Sequence, residues 1–130
     1  MKQRKSTEDY LKIIYNLGKM GDEVRGSRIA EELGVSRPTV SVSLKALEKE
    51  GYITMDETHA VHLTELGSTV AEETYERHMT FQQLLEGLGV SRDTASADAC
   101  EMEHVVSPES YVALKQLAAQ RHKEKNSHDL

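Results

Sequence analysis

Three side chains with metal-binding chemistry stand close together: Cys100, Glu103 and His104, in the run Cys100-Glu101-Met102-Glu103-His104. On a helix, positions related by i, i+3 and i+4 share an arc of about 100° on one face. A thiol, a carboxylate and an imidazole converging there suit a divalent metal of intermediate softness. Glu101 and Met102 point elsewhere. The same spacing also serves a solvated helix face, and a cysteine is commonly plain core, so the trio needs support from other residues. Two offer it. His78 lies in line with Phe81 and Leu85, on a face that should be buried, where a histidine can equally be a hydrogen-bonded core residue. Asp9 borders the apolar stripe of the first helix. With Ser6 as N-cap it would also occupy the position that reaches back in a capping box.

A second chemistry lies in Ser27-Arg28-Ile29-Ala30-Glu31-Glu32-Leu33-Gly34-Val35-Ser36-Arg37-Pro38-Thr39-Val40-Ser41. Ala30 is small where two helices must cross, and Gly34 suits the left-handed turn that ends a helix. Val35 should plug the turn, Ser36 caps the next helix, and Pro38 falls in that helix's first turn, where its missing N–H costs nothing. Val40, Leu44 and Leu47 give that helix one apolar face. This is a helix-turn-helix, whose second helix enters the major groove of double-stranded DNA. The DNA-binding set expected is Arg28, Ser36, Arg37, Pro38, Thr39, Ser41, Val42 and Lys45. Arg37 and Lys45 reach phosphates or guanine edges, the hydroxyls serve either purpose, and Val42 can meet a thymine methyl.

The elements that must carry these residues follow from periodicity and capping. A first helix begins near Ser6, with Tyr10, Ile13, Ile14 and Leu17 at helical spacing and Gly18 and Gly21 at its end. A short second helix spans Arg25 to Gly34, and a third runs from Ser36 to about Glu50. Gly51 stops it. Tyr52–Met55 and Ala60–Leu63 read as two strands joined by a turn at Asp56-Glu57-Thr58-His59, which makes the wing; His59 and His62 are read as surface residues. A long fourth helix follows Thr64, carrying Leu66, Val70, Phe81, Leu84, Leu85 and Leu88. A fifth starts at Ser91, and Ser107-Pro108-Glu109 opens a sixth. Gln120 to Leu130 reads as a polar tail.

Composition narrows the class. The chain has 130 residues, 38% hydrophobic and 29% charged, with no Trp and one Phe, so its core is aliphatic. No apolar run reaches the roughly 20 residues of a bilayer span. The basic start Met1-Lys2-Gln3-Arg4-Lys5 has no apolar stretch behind it, unlike a secretory leader. The single Cys100 precludes an internal disulfide and points to a reducing cytoplasm. Net charge is −1 over residues 1–65 and −5 over 66–130. Such a chain holds phosphate backbone poorly by itself, so something cationic should assist DNA binding.

Taken together, Ser6-Thr7-Glu8-Asp9-Tyr10-Leu11, the helix-turn-helix with Ser36-x-Pro38-Thr39-Val40-Ser41, Leu63-Thr64-x-x-Gly67, Arg77-His78 and Asp98-Ala99-Cys100-x-x-Glu103-His104-Val105-x-Ser107 form a specific set. The sequence resembles the diphtheria toxin repressor family of iron- or manganese-responsive repressors, from about Thr7 to Leu117. The resemblance implies a mainly α protein. A winged helix-turn-helix DNA-binding domain over 1–65 is followed by a helical dimerisation and metal-binding domain over 66–130. It implies a homodimer on operator DNA, controlling metal-uptake genes. It also implies a primary metal site of Asp9, Cys100, Glu103 and His104, with His78 in an ancillary site. Two departures stand out. Manganese-type members have an acid where Lys12 stands and glutamate where Cys100 stands. Iron-type members have methionine in place of Asp9, and an acid and a histidine in place of Gln82 and Ser96. The ligand set is therefore a hybrid, and one well-formed site per subunit is expected. Fe2+ or Mn2+ is the expected ion, the thiol favouring iron, with Zn2+ and Co2+ also compatible.

Three other functions fit parts of the pattern. A hydrolytic metal centre would need an open coordination position and a substrate cleft, for which six helices and a hairpin leave little room. A winged-helix regulator could instead sense redox state through Cys100, or bind a small molecule without any metal.

Overall fold

The computed structural model describes residues 3–21 and 23–128, with side chains over 5–21 and 23–124. Its elements run α1 (Gln3–Lys19), α2 (Gly26–Leu33), α3 (Arg37–Lys49), β1 (Ile53–Met55), β2 (Val61–Leu63), α4 (Glu65–Gly87), α5 (Arg92–Val105) and α6 (Pro108–His128). The chain divides into two units between Glu73 and Thr74, inside α4. No described helix is long and apolar enough to cross a membrane.

In the first unit, Tyr10, Leu11, Ile14 and Leu17 of α1 recur on one helical face and are all buried. They meet Ile29 and Ala30 of α2, Val40, Leu44 and Leu47 of α3, Ile53 and Val61 of the hairpin, and Ala71 in one aliphatic core. Gly34 ends α2 at φ 69°, donating its N–H to the Ala30 carbonyl at 2.9 Å. Ser36 then caps α3, its hydroxyl oxygen accepting from the Thr39 N–H at 3.2 Å. Gly51, at φ 88°, turns the chain into the hairpin, which pairs antiparallel with Ile53 opposite Leu63 and Met55 opposite Val61.

The junction of hairpin and α4 explains the spacing Leu63-Thr64-x-x-Gly67. The Thr64 hydroxyl lies 2.7 Å from the Gly51 carbonyl and 3.0 Å from that of Tyr52, and it accepts from the Gly67 N–H at 3.1 Å. Gly67 is buried against Tyr52, so close that a Cβ would run into the Tyr52 carbonyl oxygen. One hydroxyl thus caps α4 and ties it to the end of the recognition helix's exit turn.

In the second unit, α4 supplies Thr74, Thr80, Phe81 and Leu84, and α5 supplies Ala95 and Ala99, all buried. The Phe81 and Tyr111 rings meet edge to face, 5.8 Å apart at 78°. Ser91 caps α5 by accepting from the Thr94 N–H at 3.4 Å, and Ser107 caps α6 by accepting from the Ser110 N–H at 3.2 Å.

Several local expectations require correction. Helix α1 begins at Gln3, so Ser6 is inside it and Asp9 closes no capping box; Gln, Arg and Lys lose little side-chain freedom in a helix and extend it upstream. Val35 is 41% exposed and does not plug the turn. Its backbone does that work, the Val35 N–H reaching the Ala30 carbonyl at 3.2 Å. Leu66 and Leu88, counted with the apolar face of the fourth helix, are exposed. The polar stretch from Gln120 continues as helix to His128, and residues 129–130 lie outside the described residues, as do Met1 and Lys2 of the basic start.

Replacing Gly67 with alanine forces a methyl into a backbone carbonyl that cannot rotate away. Gly67→Ala is expected to cost about 1–3 kcal/mol, read as a lower urea midpoint with an unchanged slope; an unchanged midpoint would disprove the close approach.

Candidate metal centre and nucleic-acid face

The C-terminal unit assembles an unusual cluster around one carboxylate. Glu103 is 1% exposed, and it sits with Ala95 and Ala99 on the buried face of α5. One carboxylate oxygen lies 3.1 Å from His78 Nδ1, and the other lies 3.2 Å from His104 Nε2. Cys100 Sγ is 3.7 Å from the same His78 Nδ1. The other His78 ring nitrogen, Nε2, faces Gln82 Oε1 at 2.9 Å, one helical turn along α4. His78 therefore stands against Glu103 and Cys100, not apart from them, and Gln82 orients its ring. The i, i+3, i+4 spacing of α5 and the i, i+4 spacing of α4 bring these five side chains together.

This donor set suits a cation. A buried carboxylate is costly unless charge or hydrogen bonds compensate it, and thiol, imidazole and carboxylate donors in one place are the ligands of a divalent transition metal. Asp9 is half-buried on α1 in the N-terminal unit.

The helix-turn-helix presents the expected polar face. Arg37, Pro38, Thr39, Ser41 and Lys45 are exposed on α3, and Val42 is 70% exposed. The hydroxyls of Ser36 and Thr39 bond each other at 2.8 Å, so Ser36 is engaged as a cap. Arg28 is turned onto its own helix, 3.8 Å from Glu31 and 3.4 Å from Glu32. Such exposed pairs hold by about 0–1 kcal/mol and yield readily to a phosphate.

Two descriptions of this chain's domains agree with that geometry. Residues 3–61 match the family model for the iron-dependent repressor N-terminal DNA-binding domain. Residues 64–128 match the iron-dependent repressor metal-binding and dimerisation domain. The chain belongs to the iron-dependent repressor family. It is accordingly a metal-dependent transcriptional repressor that binds DNA, and not an enzyme. It is 40% identical over 120 residues to the transcriptional regulator MntR of Escherichia coli O6:H1, covering 92% of this chain and 77% of that protein. It is 33% identical over 105 residues to the diphtheria toxin repressor of Corynebacterium diphtheriae, covering 80% of this chain and 46% of that one. A solved manganese-dependent transcriptional repressor in complex with manganese superposes with a TM-score of 0.79 at 30% identity, over 87% of this chain and 52% of the other. The repressor described here thus spans about half the length of that solved relative.

The wing of this family member holds residues that periodicity did not single out. Asp56 Oδ1 accepts from the Thr58 N–H at 2.8 Å, the Thr58 hydroxyl at 2.7 Å and the Ala60 N–H at 3.1 Å, while Oδ2 lies 2.9 Å from His62 Nε2. Arg25 donates to the Thr58 carbonyl from outside the hairpin. An Asp two residues before a Thr in a strand-to-strand turn was the available signal, because such carboxylates bond the backbone ahead of them.

The His62 hydrogen bond, followed by that of the Thr58 hydroxyl, holds the Asp56 carboxyl well below the usual carboxylate range. A depressed folded value means stabilisation that is complete above the unfolded value of about 3.9. It is lost only as pH falls through the lower folded value. The wing-turn amides of Thr58 and Ala60 are expected to stay protected from hydrogen exchange at pH 4, and Asp56→Asn to lose that protection already at neutral pH. Equal exchange in the two proteins would refute the carboxylate's role.

Proposed function

We propose that this repressor binds operator DNA as a homodimer when a divalent transition metal is held by Asp9, Cys100, Glu103 and His104, and that it controls metal-uptake genes. The observation that carries the proposal is the buried Glu103 carboxylate set between two imidazoles with a thiol alongside. When bound, the ion supplies positive charge and coordinate bonds that offset three acidic donors gathered in one place. Cys100, Glu103 and His104 present their donors from one face of α5, and Asp9 contributes from α1 of the DNA-binding domain. That division between domains is what couples metal binding to DNA binding: a symmetric dimer must place two recognition helices about 34–36 Å apart. Restricting the range of spacings raises the competent fraction and the apparent affinity with it. Fe2+ and Mn2+ are the favoured ions, and the thiol inclines the set toward iron. Gln82 and Ser96 leave His78 without the donors of a second strong site, so one tight site per subunit follows.

At the DNA, Arg37 and Lys45 of α3 provide the cationic contacts, Thr39 and Ser41 the hydroxyls, and Val42 an apolar surface for a thymine methyl. Ser36 and Pro38 set the start of the helix that presents them, and Arg28 of α2 exchanges its surface pairs with Glu31 and Glu32 for a phosphate. The Asp56-organised wing flanks this face.

Two measurements test the proposal. Asp9→Ala is expected to abolish the metal response of operator binding while leaving the circular dichroism spectrum and dimer mass unchanged; a metal response equal to the parent's would refute the ligand assignment, and calorimetry finding two tight ions per subunit would refute the single site. Arg37→Ala and Lys45→Ala should each lower the slope of log affinity against log salt by about one where the side chain meets a phosphate. Slopes equal to the parent's for both would remove α3 from the interface.

A further inference from the structure

We infer that Arg77 is a positioning residue of the metal centre: it fastens the last turn of α5, which carries Glu103 and His104, to α4, whose His78 orients the Glu103 carboxylate. The inference rests on the ligand assignment proposed above.

The buried face of α5 offers little interdigitation to set its register. Its buried residues are Ala95, Ala99 and Glu103. Two alanines make a smooth face, without the large side chains that lock one helix against another by interdigitation. The third buried residue is itself a metal donor. A directional contact at the end of the helix therefore adds definition to its last turn, which carries Glu103 and His104.

The Arg77 guanidinium supplies it. Its Nη1 donates to the Val106 carbonyl at 3.0 Å. Val106 is the C-cap of α5, extended at φ −74° and ψ 131°, with its own N–H bonded to the Met102 carbonyl at 3.1 Å. A cation here also meets the negative end of the α5 dipole. The guanidinium is kept in place from its other side, lying 4.7 Å from the centre of the Tyr111 ring. That ring stands edge-on to the fully buried Phe81. The brace joins α5 to α4 beside these residues: Arg77 precedes His78 on α4, and Val106, the cap of α5, follows His104 by two residues.

Ligand geometry tolerates shifts of only about half an ångström, and loss of a supporting contact around a metal site costs about 10–100-fold in affinity. Lys115 provides a built-in control. It lies 5.9 Å from the same Tyr111 ring and pairs with Glu76, where that pairing raises the lysine and lowers the carboxyl from their usual ranges. Lys115 pairs with Glu76 of α4 while Arg77 bonds the α5 cap, so removing Lys115 tests whether the ring alone is at issue.

The experiment titrates Co2+ into the parent chain, Arg77→Met, Arg77→Lys and Lys115→Met, following affinity by calorimetry and the thiolate-to-cobalt absorption band. Arg77→Met should bind 10–100-fold more weakly with an altered band, Arg77→Lys should recover part of the loss, and Lys115→Met should match the parent within twofold. Should Arg77→Met fail to fold, Tyr111→Leu carries the test by releasing the guanidinium, with weaker binding expected. Parent-like affinity and an identical band in a folded Arg77→Met or Tyr111→Leu would overturn the inference while leaving the ligand assignment standing. No cobalt binding by the parent would instead overturn both.

Discussion

A carboxylate withdrawn from water has to be answered by charge or hydrogen bonds, because the isolated ion would otherwise cost several kcal/mol. Glu103 imposes that requirement on the C-terminal unit. It lies on the buried face of α5, where its carboxylate faces His78 and His104, with the Cys100 thiol beside the same His78 ring. The neighbouring positions on that face are alanines, which leave room for donors at the expense of packing. A well-packed apolar α5 would be more stable by itself but would lack the donors proposed above to hold the metal. The same substitution of polar for apolar contact explains why the helix end needs a cation-to-carbonyl fastening.

The N-terminal unit is built on the opposite plan. Its core is aliphatic apart from the Tyr10 ring and runs on to Ala71, with no carboxylate, imidazole or basic side chain among its members. Its polar contacts are capping and turn bonds: Ser36 at α3, Thr64 at α4, Asp56 in the wing. These fix backbone shape at the three places where the reading surface must be rigid. With a net charge of −6 over the whole chain, attraction for DNA cannot come from overall charge. A local source is available in the exposed Arg37 and Lys45 of α3, the contacts proposed above, and on that proposal the local rigidity of α3 counts for more than it would in a basic protein.

What the sequence disclosed follows from how local each determinant is. Ser36-x-Pro38, Gly51, Ser91 and Ser107-Pro108 each set a boundary through bonds within four residues, and each boundary was legible. The trio on α5 was legible for the same reason, since one turn of helix aligns Cys100, Glu103 and His104. The errors arose where a local signal had a competitor. Ser6 is a good cap, yet the residues before it are good helix formers, and α1 simply continues through it. Val35 is apolar in a turn, but the backbone already closes that turn and leaves the side chain outside. Contacts between positions distant in sequence stayed hidden. Nothing near Arg77 announces a bond to Val106, and nothing near His78 announces that it shares Glu103 with His104; both depend on how α5 folds back beside α4.

The two building plans divide the labour of a sensor. Because the DNA-reading unit has a complete core of its own, it does not need an ion in order to fold, and its recognition helix is capped and packed regardless of supply. The other unit buries the Glu103 carboxylate between imidazoles, and under the proposed function its preferred state depends on whether a cation is there to offset it, a dependence that scales with concentration by mass action. A repressor whose reading head itself unfolded without metal would lose its fold and be cleared from the cell when metal ran short. One whose reading head is permanently formed can instead be switched repeatedly, and under the proposed ligand set the ion's binding energy is free to act on domain placement instead of folding.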